Sequence, residues 1–194
     1  HIDLIKPYLE VPALQSEKLS RSLDLKNKIE YSIEDNVIRT HTIESGTNNL
    51  TFSATSGGKL PKMIFTGLIP PSFFNGEEKD SATTFHRNNM SKLELFVDNK
   101  SLPGSSIQMG DKDFIEAYTK FFRQTKMLQN PLAGELPSYN TFGVGGNVIT
   151  AYNLSEIDLE TGWLSVKIDF DTALTSNLLL IVYMIYDKTV TFED

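Results

Sequence analysis

The nine-residue run LLLIVYMIY, residues 178 to 186, limits this chain more than any other stretch. It is about half the ~20 residues that a membrane-spanning helix requires. As an extended strand it reaches roughly 30 Å at ~3.3 Å per residue, which is the length of a sandwich wall. It therefore reads as a buried strand, in a chain whose 194 residues are enough to enclose a large core. The residues are 40% hydrophobic, 22% charged and 10% aromatic, the balance of a globular protein and not of a disordered one.

A second apolar stretch, PKMIFTGLI at 61–69, is too continuous in its apolarity for a half-exposed sheet, so both its faces should be covered. Its internal Gly67 fits a bend or a close approach, and Pro70 and Pro71 then end the strand's hydrogen bonding. Further strands are expected at 36–44, 49–54, 92–98, 147–154, 163–170, 177–186 and 189–193, with a weak edge strand at 2–11. In the strand at 36–44, Val37, Arg39, His41 and Ile43 share one face. Two helices are expected. One covers residues 13–29, where Leu14, Leu19 and Leu23 recur near helical spacing. The other covers 109–124 and carries Phe114, Ile115, Tyr118, Phe121 and Phe122 on its core-facing stripe, with Asp113 and Glu116 spaced as a capping box. Residues 73–90 and 126–146 read as loops. Many strands with short helices in the connections imply an all-β fold, a two-sheet β-sandwich of antiparallel strands.

Composition excludes several chemistries. With no cysteine there is no disulfide, no thiolate metal site and no cysteine nucleophile. A net charge of −7 argues against a surface built to neutralise phosphates, so no direct sequence-specific nucleic-acid binding is expected. The chain opens on His1 without the order of a signal peptide, which reads as an excised or processed fragment. GVGG at 143–146 leads into a strand and lacks the Lys-Ser/Thr pair of a phosphate loop, so it reads as a turn. His1, His41 and His86 have no second ligand at metal spacing. Glu156, Asp158 and Glu160 form one carboxylate row, and Asp169 with Asp171 another close pair. Such pairs could serve glycosidic acid/base work or calcium, against the plainer reading of solvated strand ends. Four N-x-[ST] triplets, at Asn49, Asn89, Asn99 and Asn153, read as chance because two fall inside expected strands. No catalytic, cofactor-binding or metal residue is assigned, and the chain reads as a non-enzyme.

The order of segments carries a resemblance that the chemistry does not. NVIRTHTIESGTNNLTFS, then GKLPKMIFTGLI followed by FNG, then LELFVDNKSLP, DFIEAYTKFF and the closing WLSVKIDFDTALTSNLLLIVYMIYDKTVTFED resemble the C-terminal half of the double jelly-roll major capsid proteins of Polinton/Maverick elements and related adinto-type viruses. The two prolines of IPPSFFNG and the lack of an aspartate-rich segment after the Phe121 helix depart from that pattern. The resemblance implies that residues 1–194 are a single jelly-roll domain of a longer protein. It also implies homotrimeric capsomers that join neighbouring capsomers and other capsid proteins in an icosahedral shell, a virion location and assembly inside a host cell. No cofactor and no membrane span are implied. A fragment of this kind should be monomeric or weakly associated, the parent chain trimeric, and the fragment should bare an apolar patch, for which Phe73, Phe74, Leu132 and Leu136 are the candidates. Two other classes stay open: a ligand- or carbohydrate-binding jelly-roll using Trp163, Tyr139, Asn140 or the 156–160 carboxylates, and a hydrolase built on Glu156.

Overall fold

A computed structural model describes residues 28–76, 83–110, 114–127, 137–143, 145–155, 157 and 159–193. The chain divides into two compact units, one of residues 1–34 with 187–194 and one of residues 35–186. Of the first unit, the described residues 28–34 and 187–193 are all strand. The second unit holds the core.

Strands β1 (Lys28–Ile43), β2 (Asn49–Ser53), β3 (Met63–Ile69), β4 (Met90–Val97), β5 (Lys100–Ser101), β6 (Ile107–Gln108), β7 (Thr150–Asn153), β8 (Leu164–Phe170) and β9 (Leu178–Glu193) form two sheets. One has the order β1-β9-β3-β7 and the other β2-β8-β4-β5, with β6 also paired to β4. The chain changes sheet between successive long strands, which is the jelly-roll path through a two-sheet sandwich. Period-2 alternation explains which side chains meet between the sheets. Ile64 and Leu68 of β3 and Leu180, Val182 and Met184 of β9 face Leu93, Leu95 and Val97 of β4 and Leu164, Val166 and Ile168 of β8, all buried. Each such side chain contributes roughly 1.5–3 kcal/mol through removal from water. Thr66 and Thr150 lie in the same layer, opposite one another in register, and satisfy each other through a 2.6 Å hydroxyl–hydroxyl bond.

Two details keep the sheet edges closed. Between β5 and β6 the edge of β4 would lack a partner at Leu95; there the Leu102 N–H donates to the Leu95 carbonyl and the Ser105 hydroxyl bonds both Leu95 backbone groups. On the other sheet, edge strand β7 directs the Asn153 N–H to Gln124 Oε1 on helix α2 (Ile115–Thr125). Unpaired strand edges invite unwanted pairing, and these contacts occupy the backbone groups of Leu95 and Asn153.

The helices differ from expectation. Among the described residues there are three short ones, α1 (Pro71–Asn75), α2 and α3 (Tyr139–Gly143), of which only α2 was expected. The helix expected at 13–29 lies outside the described residues as far as residue 27, and Lys28 and Ile29 belong to β1. The edge strand at 2–11 also lies outside them. Helix α1 occupies a stretch expected as loop, because Pro71 at its first position needs no N–H partner and Gly76 closes it at φ 72°. Helix α3 forms inside the glycine- and proline-rich stretch, where Ser138 Oγ accepts the Thr141 N–H. Asp113 of the expected capping box lies outside the described residues, and α2 has Phe114 at its N-cap with no side-chain cap. The Phe114 N–H donates instead to the Tyr139 hydroxyl, and Glu116 Oε2 accepts the Gln108 N–H. Ile115, expected on the core stripe, is exposed, whereas Ala117 and Phe122 are buried. Finally, the strands expected at 177–186 and 189–193 are one strand, β9 (Leu178–Glu193), in which Asp187 and Lys188 are exposed.

Candidate functional site

The outer side of β3 and β9, the two central strands of the four-stranded sheet, is as apolar as their inner side. In register, Met63 faces Ile185, Phe65 faces Tyr183, Gly67 faces Ile181 and Ile69 faces Leu179, all on the outward parity of β3 and β9. Phe65 and Tyr183 lie 6.0 Å apart between ring centroids, tilted by 50°. Gly67 is required by a side chain and not by a bend: a Cβ there would stand 2.5 Å from Cδ1 of Phe85. Phe85 is laid across the sheet because its N–H donates to the Gly146 carbonyl (2.6 Å) and its carbonyl accepts the Val148 N–H (2.9 Å). What remains is a groove of about 310 Å³ lined by Phe65, Gly67, Phe85, Ile149, Ile181 and Tyr183. The cover expected over both faces of 61–69 is thus present at Gly67 and Ile69 and absent over the half-buried Phe65.

Arg87 anchors the segment that carries Phe85. Only 8% exposed, it directs Nη1 to the carbonyls of Met90 (3.3 Å) and Met109 (3.2 Å) and to Asp171 Oδ2 (2.6 Å). Asn88 and Asn89 turn the chain into β4 with φ values of 51° and 60°, a left-handed conformation that asparagine tolerates better than most residues.

The outer side of the five-stranded sheet is the opposite in kind. Lys92 stands opposite Asp169, and Glu94 opposite Lys167. Lys92 Nζ lies 2.7 Å from Glu94 Oε2, and Lys167 Nζ lies 3.7 Å from Asp169 Oδ2. Hydrogen bonds from Lys92 and then Ser101 hold the Glu94 carboxyl below the usual carboxylate range against the effect of burial. Asp169 is therefore a member of this ladder while Asp171 pairs with Arg87, so the two do not form a facing carboxylate pair.

At one end of the sandwich, loops converge on Trp163, which is 59% exposed. Its backbone is tied twice to Asp98: its N–H donates to Asp98 Oδ1 (2.9 Å) and its carbonyl accepts the Asp98 N–H (3.0 Å). Its indole sits over Gly57, where a Cβ would come within 2.8 Å of Nε1. Asp98 and Asn99, with φ of 50° and 63°, form the tight two-residue turn from β4 to β5. Leu159, on the loop before Trp163, is also exposed, as is Glu160, whose carbonyl accepts the Leu60 N–H. Glu156 and Asp158 lie outside the described residues.

The other sequence candidates are scattered. Tyr139 is partly buried against Tyr118 (centroids 5.6 Å), with its hydroxyl on the Phe114 N–H, so it serves α2 and no contact joins it to Trp163. Asn140 is exposed on α3 and gives its carbonyl to the Gly145 N–H. His41 stacks on Phe52 at 5.0 Å, and His86 borders Gly146, whose φ of 78° fits the turn expected there. Phe74 is exposed and Phe73 half-buried, whereas Leu132 and Leu136 lie outside the described residues. Among the described residues no group of three or more His, Asp or Glu could hold a metal ion, and no helix is long and apolar enough to cross a membrane. A second, more polar cleft of about 160 Å³ is lined by Ser105, Gln124, Tyr152 and Asn153. The Tyr152 hydroxyl is the one buried side-chain polar atom among the described residues without a hydrogen-bond partner. Burial pushes its ionisation well above the usual phenol range, with the charges of Glu116 and Glu94 adding to the effect.

No protein-family model and no curated protein matches the sequence. Among solved structures, a chain of the PBCV-1 virus capsid quasi-atomic model is similar, with a TM-score of 0.51 and 8% identity over 91% of this chain. PBCV-1 VP54, fitted into a reconstruction of the virophage Sputnik, gives a TM-score of 0.48 at 9% identity. This chain spans about half, 52%, of the capsid chain it matches.

Proposed function

We propose that the chain is a structural capsid protein, a jelly-roll whose apolar outer face packs against a further jelly-roll. The observation that carries this reading is the outer side of β3 and β9, apolar along both strands and left partly open. A sheet facing water alternates polar with apolar residues, and continuous apolarity is the mark of a strand between two layers. The likeness in fold to a capsid chain about twice as long supports the same reading, since such a chain has room for a second sandwich. In the finer proposal this chain is the C-terminal half of a double jelly-roll major capsid protein of a Polinton/Maverick-type element. The longer protein closes into trimers, the trimers join in a shell, and the site of action is the virion. No enzymatic role is proposed.

Light scattering after size exclusion tests this on the 194-residue chain and on the longer parent protein. The chain alone is expected to be monomeric or weakly associated at micromolar concentration, and the parent trimeric. Tyr183→Glu in the parent, which puts a charge on the covered face, is expected to release one sandwich to protease without lowering the melting temperature of the 194-residue chain. A parent that stays monomeric at high concentration would overturn the capsid reading, and an unchanged protease pattern in Tyr183→Glu would overturn the choice of face.

A further inference from the structure

We propose that the Trp163 ledge is a binding site for a neutral saccharide. The inference is separate from the capsid reading and rests on other residues. Trp163 is fixed before any partner arrives: Asp98 holds both of its backbone groups, and Gly57 leaves space for the indole to lie flat. Gly57 has φ of 91°, so the seat is made by a residue type chosen for that backbone shape. An indole held in this way offers a broad surface with little entropy left to lose, as tryptophans do at recognition surfaces.

The surroundings select the ligand. Asp98, Asn99, Lys100, Glu160 and Thr161 on the converging loops are all exposed and polar. A protein-docking centre has a broad apolar core with the polar groups confined to its rim, whereas here Trp163 and Leu159 are the exposed apolar side chains among these five polar residues. Asp98 and Glu160 are matched by Lys100 and by Lys59, which is bridged to Thr161, so the ledge has no strong charge of one sign to select an ionic ligand. A sugar ring fits: its C–H face lies on the indole, and its hydroxyls donate to Asp98 Oδ2, the oxygen not used by the Trp163 N–H, while the exposed Asn99 amide can donate to or accept from them. No covalent step is involved.

Trp163 is the only tryptophan in the chain, so intrinsic fluorescence reports this ledge alone. The 194-residue chain is titrated with maltotriose, mannotriose, chitotriose and lactose, and any hit is repeated by calorimetry. A saturable fluorescence change is expected with at least one of them. Trp163→Ala should abolish calorimetric binding at an unchanged melting temperature, since the indole is mostly in water. Asp98→Asn keeps an oxygen for the Trp163 N–H and should weaken binding about fivefold through loss of a charge-assisted hydrogen bond. No saturable change with any of the four sugars would overturn the proposal. So would sugar binding that survives Trp163→Ala, or self-association that depends on Trp163 without sugar binding, which would make the ledge a protein contact.

Discussion

The two outer faces of the sandwich rest on one shared core and differ in almost everything else. On the five-stranded sheet, Lys92, Glu94, Lys167 and Asp169 set opposite charges across the strands, while on the four-stranded sheet the corresponding positions are Phe65, Gly67, Ile181 and Tyr183. Opposite charges paired across strands are what a water-facing sheet uses, and each pair is worth little. Aromatic and aliphatic side chains in the same places gain little until something covers them. The contrast separates a charged face that water satisfies from an apolar face that Phe85 covers only in part.

Substitutions can test the contrast. Gly67→Ala should have the largest effect, a loss of about 2–3 kcal/mol in urea unfolding, because the new methyl group enters the Phe85 ring and that ring is held by two backbone hydrogen bonds. Adding Phe85→Ala should recover part of the loss, and strictly additive effects would show that the two residues do not touch. Arg87→Gln should cost about 2 kcal/mol, since carbonyls of Met90 and Met109 lose a charged donor. It should also raise hydrogen exchange at Phe85 and Val148, and exchange unchanged there would remove Arg87 as the anchor. On the charged face, Glu94→Gln should stay within about 0.5 kcal/mol at neutral pH. The sign with pH follows from the lowered ionisation of Glu94. Its contribution is present above the unfolded value of about 4.3 and fades as pH falls through the lower folded value, so wild type and variant should converge in acid. A large neutral-pH effect there would erase the distinction between the faces.

Much of this fold can be read from alternation. In LELFV, Leu93, Leu95 and Val97 point inward as a period of two requires, and WLSVKIDF does the same through Leu164, Val166 and Ile168. Errors fell where local composition and pairing disagree. Residues 28–35 follow a stretch of helix formers and yet belong to β1, and Asp187 with Lys188 suggested a break where β9 runs on. The apolar outer face had a signal in the continuity of 61–69, but the phenylalanines at 73 and 74 drew attention to the loop instead. Trp163 stood among the loop residues that could bind a ligand; its partners did not, because Gly57 and Asp98 reach it only through the fold.

Tyr152 gives the sandwich an upper limit in alkali. In the unfolded chain its phenol ionises near pH 10, whereas in the folded chain it is held neutral between the sheets, with its ionisation raised well above that value. Stability from this group is complete below the unfolded value and falls as pH rises through the interval between the two. Exposed tyrosines ionise readily as base is added, whereas burial delays the ionisation of Tyr152 and, less strongly, of the half-buried Tyr186. Phenolate absorbance in a stopped-flow jump to strong alkali is then expected to contain a slow phase, and Tyr152→Phe to reduce its amplitude, so that one buried hydroxyl keeps time for the parting of the two sheets.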